Sequence, residues 1–128
     1  MENNSKVTTL LYSNRVNIKP LSVNEAWQGK RFKSKKYAAY ELELLFKLET
    51  IELNWDKVPI ELDLTVGLSN MASDIDNIVK PFVDVLQKKF NFNDKYIFRL
   101  IVEKQLVQKN FEFIEFRIRK LTPRHMMF

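Results

Sequence analysis

Three aspartates and one lysine are the residues of this sequence whose types and spacing best suit catalysis. Asp74 and Asp76 lie two positions apart, Lys80 follows four positions later, and Asp94 stands in an Asn-Asp turn further along the chain. Carboxylate oxygens are the ligands that Mg²⁺ prefers, and the ion commonly keeps several waters and binds a substrate phosphate as well. A nearby ammonium group can stabilise negative charge on a scissile phosphate or a leaving oxygen. The four residues therefore predict a divalent-metal site for phosphoryl chemistry.

Each of these aspartates also has an ordinary structural explanation, which spacing alone leaves open. Asp74 or Asp76 would stabilise a helix by about 1 kcal/mol as an N-cap, and Asp94 would suit an Asx-turn. Asp84 lies four residues after Lys80, where an ion pair on a helix surface is worth about 0.3–0.5 kcal/mol.

Pro81 determines where the segment between the aspartates becomes helical. Proline is tolerated in the first turn of a helix, where its missing N–H would have no partner. We therefore expect a helix that starts at residue 77 or 78 and continues to Phe90. The first two aspartates then lie on the connection that enters this helix.

The sheet must bring Asp94 back to the other two aspartates. Residues 60–68 alternate apolar and polar side chains, which predicts a half-buried strand. A strand that begins near Asp94 and pairs beside residues 60–68 would place Asp94 close to the helix entry.

The remaining periodicities predict one compact α+β domain over residues 1–128, with residues 121–128 as a loose tail. The expected order is β-α-β-α-β-β, a mixed sheet with helices packed on it. Its other elements are a strand at 7–18, a loop at 20–36, a helix at 35–53, and two final strands joined as a hairpin by a turn at 108–110. In the first of these strands Tyr96, Phe98, Leu100, Val102 and Leu106 share one parity, and Ile114, Phe116 and Ile118 share one in the second.

Composition excludes several function classes. There is no cysteine and a single histidine, His125, so disulfides, thiolate chemistry, histidine metal sites and a Ser-His-Asp triad are not expected. No run of about 18 apolar residues or signal-peptide pattern is present, so we expect a cytoplasmic protein. The net charge of +5 is concentrated in residues 1–36, which carry eight Lys or Arg against two Glu.

A cluster of cations within that first quarter predicts contact with nucleic acid. The basic loop, as we name it, comprises Lys30, Arg31, Lys33, Lys35 and Lys36, with Trp27, Phe32 and Tyr37 interleaved. Cations neutralise phosphates, and flat aromatic rings can stack on unpaired bases. The alternative is a solvated entry to a helix whose aromatic residues belong to the core, and for Tyr37 we favour that alternative.

Two separated motifs resemble those of the RusA family of Holliday-junction resolvases. The first is Asp74-Ile-Asp76-Asn77-Ile-Val-Lys80-Pro81-Phe-Val-Asp84-Val-Leu86, followed by Asn93-Asp94-Lys-Tyr-Ile97. The second, Ser22-Val-Asn24-Glu-Ala-Trp-Gln-Gly-Lys-Arg-Phe-Lys-Ser34-Lys-Lys-Tyr37, looks like the N-terminal motif of phage and prophage members. The resemblance runs from about residue 16 to residue 118.

The resemblance implies a homodimeric, Mg²⁺-dependent endonuclease, with Mn²⁺ as a possible substitute, that makes paired nicks in a four-way DNA junction in a bacterial host cell. Asp74, Asp76 and Asp94 match the metal-binding carboxylates of the family, and Lys80 matches its catalytic lysine. Asn77 and Asp84 are candidates for supporting these residues, and Asn24 joins the basic loop as a DNA-binding candidate. Some members carry arginines where this chain has Met71-Ala72-Ser73, and many have two acidic residues where it has Asn93-Asp94.

Two other functions remain open from the sequence. One is a junction-binding module with little or no catalytic activity, and the other is a small metal-dependent phosphohydrolase acting on nucleotides. For a dimer surface we point to Phe111 and Phe113, which lie on the opposite parity from the core residues of the last strand.

Overall fold

The computed structural model describes residues 8–28, 32–53 and 57–122. Its elements are β1 (Thr8–Val16), α1 (Val23–Ala26), β2 (Trp27–Gln28), β3 (Phe32–Lys33), α2 (Lys35–Lys47), β4 (Ile60–Leu68), α3 (Val79–Phe90), β5 (Ile97–Leu106) and β6 (Phe113–Leu121). Single 3₁₀ turns precede α3 (Ile75–Ile78) and β5 (Asp94–Tyr96). The α+β class and the order of the main elements are confirmed. Within the described ranges no helix has the length and apolar character needed to cross a membrane.

Strand β4 lies at the centre of the site's scaffold. The four-stranded sheet has the order β1-β6-β4-β5, in which β5 runs parallel to β4 and the other neighbours are antiparallel. The strand that follows Asp94 thus pairs beside residues 60–68, as predicted. The predicted hairpin of the last two strands was wrong, because β4 lies between them. The crossover through α3 brings β5 to one edge of β4, which leaves the other edge for β6.

The hydrophobic core lies between one face of this sheet and helices α2 and α3. Leu62 and Leu64 of β4, Phe116 of β6 and Phe82 of α3 are almost completely buried there, and the rings of Phe82 and Phe116 pack edge to face with centroids 5.4 Å apart. Tyr37 of α2 is also buried, at 1% exposed, which confirms its assignment to the core.

Helix α2 ends earlier than the spacing of apolar residues predicted. Its last residue is Lys47, and Leu48 adopts an extended conformation with ψ 139°. The side chains of Ile51 and Leu53 pack against the core from non-helical chain. The predicted helix to residue 53 was therefore too long, because the last apolar residues of the pattern reach the core from non-helical chain.

The opposite face of the sheet carries a network of ion pairs. Glu61 is buried and accepts hydrogen bonds from Arg119 (2.8 Å) and Arg99 (3.0 Å). Arg117 donates to both carboxylate oxygens of Asp63 at 3.0 and 3.1 Å. A buried charge is tolerated when it is paired and hydrogen-bonded, so this face is polar without leaving Glu61 unpaired.

Phe113 lies on this polar face, and its own chain covers it. The ring is 3% exposed, packs over Gly67 of β4, and lies beneath the Arg15 guanidinium, 3.7 Å from the ring centroid. The prediction of Phe113 as dimer surface was therefore wrong, whereas Phe111 is 68% exposed. Leu121, assigned to the tail, instead ends β6 and is buried; residues 123–128 lie outside the described ranges.

Strand β5 is much more exposed than its alternating pattern predicted. Phe98 and Leu100 are 47% and 48% exposed and Leu106 is 62% exposed, although their shared parity predicted one covered face of the strand. The physical reason is position, since β5 forms an edge of the sheet. Within this parity of β5, Val102 is half-buried against the core.

Candidate active site

The entry to α3 holds Asp74 and Asp76 in exposed positions. Asp74 precedes the 3₁₀ turn, its side chain makes no capping hydrogen bond, and Asp76 lies within the turn. The α-helix begins only at Val79, so that Pro81 occupies its first turn, as expected. Neither aspartate is the N-cap of α3, which is Ile78. The capping explanation for these two carboxylates is therefore not supported.

Asp94 also does not use its side chain in an Asx-turn, the structural explanation that the sequence had left open. In the turn before β5, the side chain of Asn93 accepts a hydrogen bond from Lys95 N–H at 2.9 Å. The backbone N–H of Asp94 donates to Gln87 Oε1 at 2.8 Å, which joins the turn to α3. Among the described residues, the Asp94 carboxylate makes no hydrogen bond or ion pair, so it remains available to a ligand.

A cleft of about 410 Å³ brings together residues from the helix entry and from the turn before β5. Asp76, Lys80 and Asp94 all line this cleft. Its other lining residues are aliphatic: Ile75, Val79, Val83, Ile97, Leu100 and Val102. The parallel register places the start of β5 beside Ile60, whereas the helix entry follows Leu68 at the other end of β4. Asp94 and Asp76 therefore come to the cleft from opposite ends of this strand pair, and the expectation that the pairing would place Asp94 close to the helix entry was wrong. Interactions between charges are stronger in such a site than in open water, because the aliphatic side chains around it are less polarisable than water.

Lys80 is held in the cleft as a cation. Its Nζ lies 2.8 Å from Asp84 Oδ1, the ion pair that the spacing predicted. The hydrogen bond to Asp84 raises the pKa of Lys80 above its ordinary value, and the negative charges of Asp84 and Asp94 add to this against the opposing effect of partial burial. Lys80 is therefore suited to electrostatic stabilisation and not to acting as a base at neutral pH.

Asp74 lies on a second, more polar pocket of about 690 Å³. Asn77 of the 3₁₀ turn and Asn24 of α1 line the same pocket, together with Lys19 and Ser69. The structure thus places the predicted site residues on two sides of the helix entry. Across the described parts of the chain, no three His, Cys, Asp or Glu side chains form a group that could hold a metal ion.

The available donors nevertheless fit Mg²⁺ chemically. Mg²⁺ is usually bound through one or two carboxylates plus substrate phosphates, and it keeps several waters. Asp76 and Asp94 supply two exposed carboxylates on one cleft, and Asp74 adds a third on the adjoining pocket. These oxygen donors match a hard cation, and the absence of cysteine from the sequence excludes a thiolate site.

Sequence reasoning missed one residue that positions the site. Lys104 of β5 donates from Nζ to the carbonyl oxygens of Ser73 at 2.9 Å and Met71 at 3.4 Å. These carbonyls belong to the loop that directly precedes Asp74. No sequence signal identifies this contact, because it depends on the parallel register that places Lys104 beside Val66.

The basic loop is described only in part. Residues 29–31, which include Lys30 and Arg31, and the side chain of Lys33 lie outside the described parts of the structure. Lys35 and Lys36 are exposed at the start of α2, and Asn24 is exposed on α1. Lys36 Nζ lies 3.1 Å from Glu25 Oε2, and this hydrogen bond holds the pKa of Glu25 below its usual value.

Comparison with protein families assigns these features to a nuclease family. A family model described as endodeoxyribonuclease RusA matches residues 17–119. The match includes the helix entry, the turn before β5, the described part of the basic loop, β4, β5 and β6 up to residue 119, whereas β1 precedes it. No curated protein matches the chain.

Proposed function

Since the chain belongs to the endodeoxyribonuclease RusA family, we propose that it is a Mg²⁺-dependent nuclease that resolves four-way DNA junctions by paired nicks in opposing strands. The observation that carries the proposal is the cleft shared by Asp76, Lys80 and Asp94. Two carboxylates without structural partners among the described residues and one fixed cation are the groups that phosphodiester hydrolysis requires.

We propose Asp74, Asp76 and Asp94 as the metal-binding carboxylates because they match those of the family; in the described single chain these three do not form one group, and one or two carboxylates suffice for Mg²⁺ beside a substrate phosphate. When bound, Mg²⁺ would neutralise phosphate charge and lower the pKa of a bound water, which is the chemistry needed for hydrolysis at neutral pH. Mn²⁺, which prefers the same oxygen ligands, is expected to substitute for it. Asn77, half-buried beside Asp74, would help to fix the position of that loop, because its N–H donates to the Asp74 carbonyl at 3.2 Å.

Lys80 would stabilise the charge that develops on the phosphate and on the leaving oxygen. Its ion pair with Asp84 orients the ammonium group from one helical turn away. Positioned charges of this kind act without reorganising during the reaction, which is why removing one can cost orders of magnitude in rate.

The basic loop and Asn24 would bind the DNA backbone. The pair between Lys36 and Glu25 is well exposed, with side-chain exposures of 70% and 40%, and exposed pairs contribute little to stability. A phosphate can therefore replace Glu25 as the partner of Lys36 at little cost. We place this activity in the cytoplasm of a bacterial host, where a homodimer would supply one site for each nick.

A cleavage assay separates the proposal from its alternatives. The protein would be incubated with a labelled four-way junction, a linear duplex and nucleotides, each with and without Mg²⁺. Paired junction nicks that require Mg²⁺ are expected. Junction binding without nicks would indicate a binding module, and nucleotide turnover would indicate a phosphohydrolase.

Asp76→Asn tests the assignment of the cleft itself. This change removes one carboxylate charge from the proposed metal site, so nicking should fall at least about 100-fold while junction binding persists. Glu52→Gln is the matched control, because Glu52 is exposed and outside the cleft and loses the same charge. Nicking by Asp76→Asn at the rate of the control would remove Asp76 from the catalytic site.

A further inference from the structure

A polar stripe of three side chains runs along one face of helix α3. Lys80, Asp84 and Gln87 stand at positions i, i+4 and i+7, a spacing that places them above one another on the helix surface. The stripe therefore leads from the helix entry, where Lys80 lies, to the end of the helix, where the turn that contains Asp94 follows.

The first contact in the polar stripe directs Lys80 along the helix. Its Nζ lies 2.8 Å from Asp84 Oδ1, and Asp84 is one helical turn nearer to the end of α3. The ammonium group therefore points toward the turn before β5. The negative charge of Asp94 contributes to the raised pKa of Lys80, so the Asp94 carboxylate lies within electrostatic reach of this group.

The last side chain of the polar stripe holds the backbone at Asp94. The Asp94 N–H donates to Gln87 Oε1 at 2.8 Å, across seven positions of the chain. The next two N–H groups bind within the turn, since Lys95 donates to the Asn93 side chain and Tyr96 donates to the Asn93 carbonyl. Gln87 therefore supplies a hydrogen bond that joins this turn to α3 from outside it.

The direction of the Asp94 side chain depends on this backbone. Because the peptide group is planar, a hydrogen bond to the Asp94 N–H restrains the plane that also contains its Cα atom. The carboxylate makes no hydrogen bond or ion pair with the described residues, so no side-chain partner there directs it. Its orientation toward the cleft that it lines with Lys80 thus depends on the backbone, and Gln87 restrains that backbone.

We propose that Gln87 is a positioning residue of the candidate active site, whose side-chain carbonyl holds the backbone of Asp94 so that the Asp94 carboxylate faces the cleft. An uncharged amide suits this task, because its oxygen accepts the hydrogen bond without adding a second negative charge beside Asp94. The effect on metal binding and cleavage rests on the proposed function, whereas the effect on the Asp94 backbone does not.

Amide hydrogen exchange tests the contact in the metal-free protein. Gln87→Met keeps the length and the helix propensity of the side chain but removes the acceptor. The Asp94 amide, followed by NMR, should then exchange about 2- to 10-fold faster. Gln108→Met is the matched control, because Gln108 is exposed in the turn before β6 and lies outside the cleft. Equal exchange at Asp94 in the two variants would overturn the contact.

Metal binding and nicking test what the contact does. Residues that orient a metal ligand typically contribute about 10-fold or more to affinity or activity. Calorimetric titration with Mn²⁺ should therefore show about 10-fold weaker binding to Gln87→Met than to Gln108→Met. Single-turnover nicking of a four-way junction at limiting Mg²⁺ should slow by a similar factor.

Gln87→Glu distinguishes positioning from a general loss of structure. A carboxylate accepts the same hydrogen bond, so this variant should return the exchange rate of the Asp94 amide and the nicking rate to within about 3-fold of the parent chain. Equal losses in Gln87→Glu and Gln87→Met would overturn the proposal, because the acceptor is missing from the methionine variant alone.

Asp94→Asn tests whether Gln87 acts through the Asp94 carboxylate. In that background Gln87→Met should change Mn²⁺ affinity by less than about 2-fold, because two changes that remove the same contribution are not additive. A further 10-fold loss would place the action of Gln87 elsewhere and overturn the proposal.

Failure of this inference can be told apart from failure of the proposed function. A parent chain that neither binds Mn²⁺ nor nicks the junction would contradict the proposed function and any role of Gln87 in it, while faster exchange of the Asp94 amide would leave the contact intact. Mn²⁺ binding and nicking by Gln87→Met at the level of its control would contradict the positioning role and leave the proposed function intact.

Discussion

Gly67→Ala should destabilise the fold because Phe113 occupies the space that the new methyl group needs. A Cβ at Gly67 would lie 2.4 Å from both Cδ1 and Cε1 of Phe113, whereas carbon atoms in good contact are about 3.5–4.0 Å apart. The ring has little freedom to move, since it is 3% exposed and Arg15 lies 3.7 Å above its centroid.

The expected magnitude follows from two opposing contributions. Forcing an extra methyl group into a filled site typically costs about 1–3 kcal/mol. Replacing glycine by alanine restricts the unfolded chain, which stabilises the fold by about 0.4–1 kcal/mol where the backbone permits it. We therefore expect Gly67→Ala to lower the free energy of unfolding by up to about 2.6 kcal/mol, and urea titration followed by circular dichroism would measure it.

A double-mutant cycle with Phe113→Ala tests the cause. Without the ring, the methyl group meets no overlap, so the Gly67→Ala step should become neutral or stabilising by up to about 1 kcal/mol. Phe113→Val serves the same purpose if the alanine variant is too unstable to titrate, because valine lacks both of the closest overlapping atoms, Cδ1 and Cε1. The reasoning would be refuted if Gly67→Ala cost the same with and without the ring, within about 0.5 kcal/mol.

Three further changes test the loop before the first aspartate, the polar face and the basic loop. Lys104→Met keeps a long apolar stem but removes the donor to the loop carbonyls, so single-turnover nicking should slow severalfold while the free energy of unfolding changes by no more than about 1.5 kcal/mol; an unchanged rate would separate this contact from catalysis. Arg117 lowers the pKa of Asp63 through a hydrogen bond, so its stabilisation is complete above the unfolded pKa of about 3.9 and is lost as pH falls through the lower folded pKa. Asp63→Asn should accordingly flatten the acid side of the stability curve, and an unaltered slope in urea titrations between about pH 5 and pH 2 would contradict this. Lys33→Ala combined with Lys36→Ala should weaken junction binding and reduce the slope of log affinity against log salt by about 0.9 for each lost phosphate contact; an unchanged slope would locate the contacts elsewhere.

The elements of this fold could be predicted because local patterns determine them. The strict alternation of β4 and the proline near the start of α3 are signals that act within a few residues. The partner of β5 could not be predicted in the same way. The turn at 108–110 resembles a hairpin turn, yet the neighbours of β5 and β6 are decided by β4, which lies about 40 residues earlier in the chain.

In the candidate site, too, residue types and local positions could be predicted, whereas contacts that depend on the assembled sheet could not. Asp76, Lys80 and Asp94 could be identified by residue type and by their places around α3, and all three line one cleft. The position of Asp74 on the neighbouring pocket depends on a 3₁₀ turn, which has no distinctive sequence pattern. The contact of Lys104 with the loop depends on strand register, which becomes visible only when the sheet is assembled.

The exposure of β5 shows what a hydrophobic pattern can and cannot specify. Alternation at Phe98, Leu100 and Val102 predicts that one face is covered, but it does not state by which chain. In the single chain Phe98 and Leu100 remain about half exposed, so the prediction of burial fails there. The reason is the position of β5 in the sheet, since within the described residues it has β4 as its one neighbouring strand. A period-two pattern therefore identifies a strand and its apolar side, whereas the burial of that side depends on the place of the strand in the sheet.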